Sequence, residues 1–164
     1  MMTIRSATSL DIPKIQALAH SIWNKVYPTI ISQAQIDYML ELMYSPSQIQ
    51  AELLTGYDWE VIEFDEQAIG FVSSRTENGT TLKLSKIYIE PAFHGRGFGQ
   101  VVLKHFDAKA KQLGLTSIYL YVNRNNERAI QSYIRGGYAI VQSLDQIFGN
   151  FMLYDYKLAK TVTP

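Results

Sequence analysis

The sequence predicts an α/β fold on a mixed central sheet, and three observations carry that expectation. Apolar residues recur at 3.6-residue spacing in five separated stretches. Alternating strands joined by tight turn signals give an antiparallel N-terminal meander. A strand–helix–strand unit over residues 84–122 then needs a long crossover, which makes its two strands parallel. No linker, repeat or low-complexity stretch interrupts the 164 residues, so a single domain, 1–164, with one substantial core is expected.

In chain order, residues 3–7 read as a short strand with Ile4 facing inward. Asp11 suits a helix N-cap and Pro13 the first turn, and Ile12, Ile15, Leu18, Ala19, Ile22, Trp23 and Val26 form one apolar stripe before Pro28. A second helix carries Ile36, Met39, Leu40 and Met43, and a third carries Ile49 and Leu53 and closes at Gly56. Trp23, Tyr27 and Tyr38 are expected in the core, the alternative being one wall of a substrate cleft. Residues 59–64 and 68–75 alternate as strands around the turn Asp65-Glu66-Gln67, and Glu77-Asn78-Gly79 joins the second to a third, ending at Ile89. After the next helix, Gly114 acts as a C-cap and residues 117–122 form an apolar strand. Asn126 opens a last helix, and residues 138–142 and 150–158 read as a hairpin around a loop at 143–149.

Composition narrows the function. Fifteen basic residues balance fifteen acidic ones, which argues against nucleic acid or an anionic membrane as partner. No apolar run approaches the roughly 20 residues that span a bilayer, and the N-terminus lacks the apolar core of a signal peptide, so the cytoplasm is the expected location. There is no cysteine, which excludes disulfides and a cysteinyl acyl intermediate. Three scattered histidines offer no metal site.

The most informative stretch is 86–100. A strand ending Ile87-Tyr88-Ile89 meets Pro91, which cannot donate to a ladder, and Gly95, Gly97 and Gly99 then alternate before an amphipathic helix. A glycine turn at a helix N-terminus gathers free N–H groups and a partial positive charge, and so seats phosphate. It lacks the P-loop spacing, and the strand ending Tyr121-Val122 carries no carboxylate to hold a dinucleotide ribose.

A second motif, V-x(3)-N-x(2)-A-x(3)-Y, runs from Val122 through Asn126 and Ala129 to Tyr133 and closes at Gly136-Gly137-Tyr138. Together with Ile-Tyr-Ile-x-Pro and His-Gly-Arg-Gly-Phe-Gly, it resembles the GNAT superfamily of acetyl-CoA-dependent N-acetyltransferases. The resemblance is strongest over 84–138, with a looser likeness to the bacterial spermidine/spermine N-acetyltransferase subgroup. It implies a GNAT-like domain with helices on both faces of the sheet and acetyl-CoA as co-substrate, with no metal. The pyrophosphate is then expected on the amides of Gly95, Arg96, Gly97, Phe98, Gly99 and Gln100, with His94 where relatives carry Gln or Arg. The pantetheine arm is expected along Ile87, Tyr88 and Ile89, where two parallel strands part, with Asn126 contacting it from the far side.

The reaction so implied is direct attack by a primary amine of a small molecule, polyamine-like or amino-acid-like, in a ternary complex. Tyr133 is the expected general acid, a phenol of pKa about 10 serving a thiolate whose acid has a pKa of about 8.5. Glu90 or a water chain is the candidate base. The acceptor is expected near Trp23 and Tyr38 and the final hairpin, with Asp145 or Asp155 attracting a cationic amine. The alternatives are a protein N-terminal or lysine acceptor and a non-catalytic acetyl-CoA-binding domain. A homodimer through strand 151–158 is compatible with the sequence.

Overall fold

Helical and strand periodicities translate directly into elements in the computed structural model, which describes residues 1–163. Strand β1 (Met2–Ser6) leads into α1 (Ile12–Val26), α2 (Gln33–Tyr44) and α3 (Pro46–Leu54). Ser32 and Ser45 cap α2 and α3, each accepting the amide three residues on, the spacing that satisfies an orphan N–H of the first turn. Strands β2 (Asp58–Phe64), β3 (Gln67–Glu77) and β4 (Thr81–Ile89) follow. The remaining elements are α4 (Phe98–Gln112), β5 (Ser117–Asn123), α5 (Glu127–Arg135), β6 (Ala139–Phe148) and β7 (Phe151–Thr161). No described helix is long and apolar enough to cross a membrane.

The strand order is β1-β2-β3-β4-β5-β7-β6. β1, β2 and β3 are antiparallel neighbours, β4 and β5 are parallel, and β7 is antiparallel to both β5 and β6. This is the mixed sheet of an α/β fold, with helices on both faces. The chain packs as two units: Met1–Arg75 with Lys86–Phe98, and Thr76–Ser85 with the chain from Gly99 onward.

In the first unit, Ile15, Ile22 and Trp23 of α1 and Ile36, Leu40 and Tyr44 of α2 are buried, as are Trp59, Ile62, Ile69 and Phe71 of β2 and β3. Each such side chain contributes roughly 1.5–3 kcal/mol by leaving water. Trp23 and Tyr27 are thus core residues as expected, whereas Tyr38 keeps 37% of its surface exposed. The second unit buries Leu82 and Leu84 of β4, Val102 and Phe106 of α4, Ile118 and Leu120 of β5, and Leu158 of β7.

Two further expectations need correction. Asp11 sits at the N-cap of α1 without capping it by its side chain; its carboxylate instead takes the Thr8 amide at 2.9 Å and the Arg5 guanidinium at 2.8 and 3.0 Å. A guanidinium fork is a stronger partner than a helix amide. Residues 143–149 are mostly strand: β6 runs on to Phe148 and faces Phe151 across a two-residue Gly-Asn turn. Strand β7 pairs with β6 from Phe151 to Ala159 and with β5 from Asp155 to Thr161.

Candidate functional site

In the first unit the candidate site grows from the end of β4. Glu90 donates its amide to the Ile69 carbonyl at 2.8 Å, the last backbone bond before a short 3-10 turn at Pro91–Phe93. Gly95 and Gly97 then adopt φ of +78° and +81°, a left-handed conformation that costs an L-residue strain, while the space a Cβ would fill is open at both. A backbone turned this way leads into the N-terminus of the 15-residue α4, the kind of arrangement that can bind an anion. Gly99 is different: it has no positive φ, and a Cβ there would make an ordinary contact, 3.5 Å from Ser132 Oγ.

His94 folds back and donates from Nε2 to the Ile89 carbonyl at 2.8 Å, so it ties the turn to the strand. Arg96 is exposed and lies over aromatic rings. Phe98 is half-buried, 5.0 Å from Phe64 between ring centroids.

Along β4, Ile89 is buried and Ile87 half-buried. Tyr88 points its hydroxyl to that of Tyr27 at 3.0 Å and packs beside Trp23 and Phe71, so it offers the strand's outer positions only its backbone. Gly70 of β3 makes that backbone position attainable. A Cβ at Gly70 would lie 2.2 Å from the Tyr88 carbonyl oxygen, well inside van der Waals contact. Glu90 pairs with Lys25 at 3.0 Å, a partner that sequence spacing did not suggest.

In the second unit, the parallel pairing of β4 with β5 runs from Thr81↔Ser117 to Leu84↔Leu120, while β5 itself continues to Asn123. Asn126 caps α5, its side chain accepting the Ala129 amide at 3.4 Å. The N-x(2)-A spacing of the motif is therefore cap-to-N3 spacing. One helical turn further, Tyr133 is half-buried and meets Tyr138 edge-on, with centroids 6.1 Å apart. Burial, together with nearby Asp107 and Tyr133, pushes the Tyr138 phenol well above its ordinary range. Gln100 donates its side-chain amide to the Ser132 carbonyl at 2.9 Å, which braces the start of α4 against the residue preceding Tyr133.

Of the expected acceptor-side carboxylates, Asp145 pairs with Arg124 on the surface. Burial pushes the Asp155 carboxyl up, against the pull of Arg124. Among the described residues no three His, Cys, Asp or Glu side chains gather in a way that could hold a metal.

The sequence model of the acetyltransferase (GNAT) family matches residues 19–138. An uncharacterized N-acetyltransferase of Mycobacterium bovis is 24% identical over 132 residues, which cover 79% of this chain and 84% of that protein. The fold superposes on the PaiA N-acetyltransferase of Thermoplasma acidophilum, solved in complex with coenzyme A, with a TM-score of 0.84 at 20% identity over 98% of this chain and 99% of that one. It also superposes on the spermidine N-acetyltransferase of Vibrio cholerae, solved with CoA and spermine, with a TM-score of 0.70 at 22% identity over 98% and 95% of the two chains.

Proposed function

The chain belongs to the acetyltransferase (GNAT) family and is an acetyl-CoA-dependent acetyltransferase, and we propose that it acetylates a primary amine of a small molecule, polyamine-like or amino-acid-like, by direct attack in a ternary complex. The observation that carries this reading is the pair of left-handed glycines, Gly95 and Gly97, between a strand end and a helix N-terminus inside the family-matched segment.

The backbone amides of Gly95, Arg96, Gly97, Phe98, Gly99 and Gln100 hold the pyrophosphate in this proposal, and open space where both left-handed glycines would bear a Cβ fits that task. Main-chain groups of Ile87, Tyr88 and Ile89 pair with the pantetheine arm as an added strand would. An N–H of the same stretch stabilises the oxyanion that develops as the amine attacks, commonly the largest single contribution in acyl transfer. His94 acts indirectly, by fixing where β4 ends. Asn126, besides capping α5, contacts the arm through its side chain.

Tyr133 donates a proton to the departing thiolate as the carbon–sulfur bond breaks. The attacking amine loses its proton to Glu90, held by Lys25, or to water. The fold shared with a spermidine N-acetyltransferase makes polyamines the first acceptors to try, with amino acids second. The test is a panel of amines incubated with acetyl-CoA while free thiol is followed. Thiol release with a small primary amine is expected. Release only with protein N-termini or lysines would move the acceptor class, and no release with any amine would point to a binding domain. In the same assay Tyr133→Phe should lower kcat at least tenfold with little change in acetyl-CoA affinity; unchanged kcat would remove Tyr133 from the mechanism.

A further inference from the structure

Three phenylalanines from three different elements meet beside the glycine turn. Phe64 ends β2, Phe93 lies in the 3-10 turn and Phe98 opens α4. Their ring centroids are 5.0 Å apart for Phe64 and Phe98, 6.0 Å for Phe64 and Phe93, and 6.4 Å for Phe93 and Phe98. All three are half-buried, so the cluster has an open side. The Arg96 guanidinium occupies it, with Cζ 5.1 Å from the Phe93 centroid and 6.0 Å from that of Phe64. Among the described residues these rings are its only partners, and no carboxylate pairs with it.

A ring face steadies a guanidinium through the π-cloud and leaves all five N–H donors unspent. A carboxylate would have consumed two of them and cancelled the charge. The turn thus carries a cation that is held in place yet chemically unsatisfied, between two left-handed glycines. We propose that Phe64 and Phe93 are positioning residues that hold Arg96 as a phosphate ligand for the coenzyme A portion of the donor. This rests on the seating of acetyl-CoA at the glycine turn. It adds that β2, which carries no glycine-turn motif, supplies part of the donor site.

The experiment is titration calorimetry of the full chain with coenzyme A and, separately, with 3′-dephospho-coenzyme A. Arg96→Met should weaken coenzyme A about tenfold, as expected for loss of a charge-assisted bond. Phe93→Leu and Phe64→Leu should each weaken it about threefold when Arg96 is present and have no effect in the Arg96→Met background, because a positioning residue works only through what it positions. Phe93→Trp, with a stronger π-face, should bind as the wild type does. A loss confined to coenzyme A assigns the contact to the 3′-phosphate, and an equal loss on both ligands assigns it to the pyrophosphate; either supports the proposal. Unchanged affinity in Arg96→Met, or a Phe→Leu loss equal with and without Arg96, overturns it while leaving the acetyltransferase reading intact. No binding of coenzyme A by the wild-type chain overturns both. Should Phe93→Leu fail to fold, Phe64→Leu answers the same question.

Discussion

Among the cations that the first unit holds against aromatic rings, Lys86 and Arg96 stand in opposite settings. Lys86, on β4, is 5% exposed; its ammonium lies 4.9 Å from the Trp59 ring centroid and 5.9 Å from that of Tyr44, and it pairs with Glu52 at 3.4 Å. Glu52 in turn accepts the Gln48 amide at 2.8 Å. Arg96, three residues past the end of the 3-10 turn, has the rings but no acid and remains exposed. Burial explains the difference. A buried ammonium without a counter-charge would lose several kcal/mol of solvation, so the core supplies Glu52. An exposed guanidinium keeps water, needs no counter-charge, and stays available to an anionic ligand. The same contact is buried and paired with an acid in one place, and exposed without one in the other.

The sharpest way to break this comparison is to remove each cation in turn. Lys86→Met strands the Glu52 carboxylate, whose side chain is 11% exposed, with Gln48 as its remaining partner. Urea denaturation should show a loss of about 3–5 kcal/mol, and adding Glu52→Leu should recover most of it, because replacing both members of a buried pair is far cheaper than removing one. Arg96→Met should stay within about 0.5 kcal/mol of wild type, as surface changes usually do. Equal costs for the two cations would mean that the rings, rather than burial, set the energetics.

A second test presses on the β4 backbone from β3. Gly70→Ala forces a methyl group toward the Tyr88 carbonyl oxygen, a backbone atom that can retreat only by moving β4. We expect a loss of about 1–3 kcal/mol in the same denaturation experiment, the usual range for overpacking. Coenzyme A affinity should fall as well, because the displaced backbone is that of Ile87, Tyr88 and Ile89. Full stability in Gly70→Ala would show that β4 tolerates displacement where the pantetheine arm is proposed to pair.

Much of this was legible in the sequence, for identifiable reasons. Helices α1 to α5 and strands β2 to β5 obey strong periodicities with clear caps and turns. The two motifs, Gly95-x-Gly97-x-Gly99 and Asn126 to Tyr133, are local in sequence, and so can be read from the chain alone. The extension of β6 was missed because an edge strand has little to bury: Gln142, Ser143, Asp145 and Gln146 are all solvent-exposed, and their polarity reads as loop. Phe64, Lys25 and Ser132 were missed because their partners lie 29 or more residues away in sequence, where no spacing rule reaches. The Asn126 spacing was visible, but its cause, a cap on Ala129, needed the backbone.

The Arg5–Asp11 pair lies between the two extremes. Arg5 is 39% exposed on its side chain, while that of Asp11 is 9% exposed. The bidentate bond from Arg5, helped by the Thr8 amide and opposed by burial, lowers the Asp11 carboxyl from 3.8 to about 2. A carboxyl that holds its proton less tightly when folded stabilises the fold above its unfolded pKa. That stabilisation is lost as pH falls from about 4 through 2. The full shift would be worth about 2 kcal/mol, and the solvent reaching Arg5 reduces it to about 1–2 kcal/mol. Asp11→Asn should therefore cost that much at pH 7 in urea denaturation, with a shallower loss of stability than wild type between pH 4 and 2. Parallel acid limbs in the two proteins would mean that half-exposure had already released the Arg5–Asp11 pair to water, and that only a cation as deeply buried as Lys86 holds its acid at measurable cost.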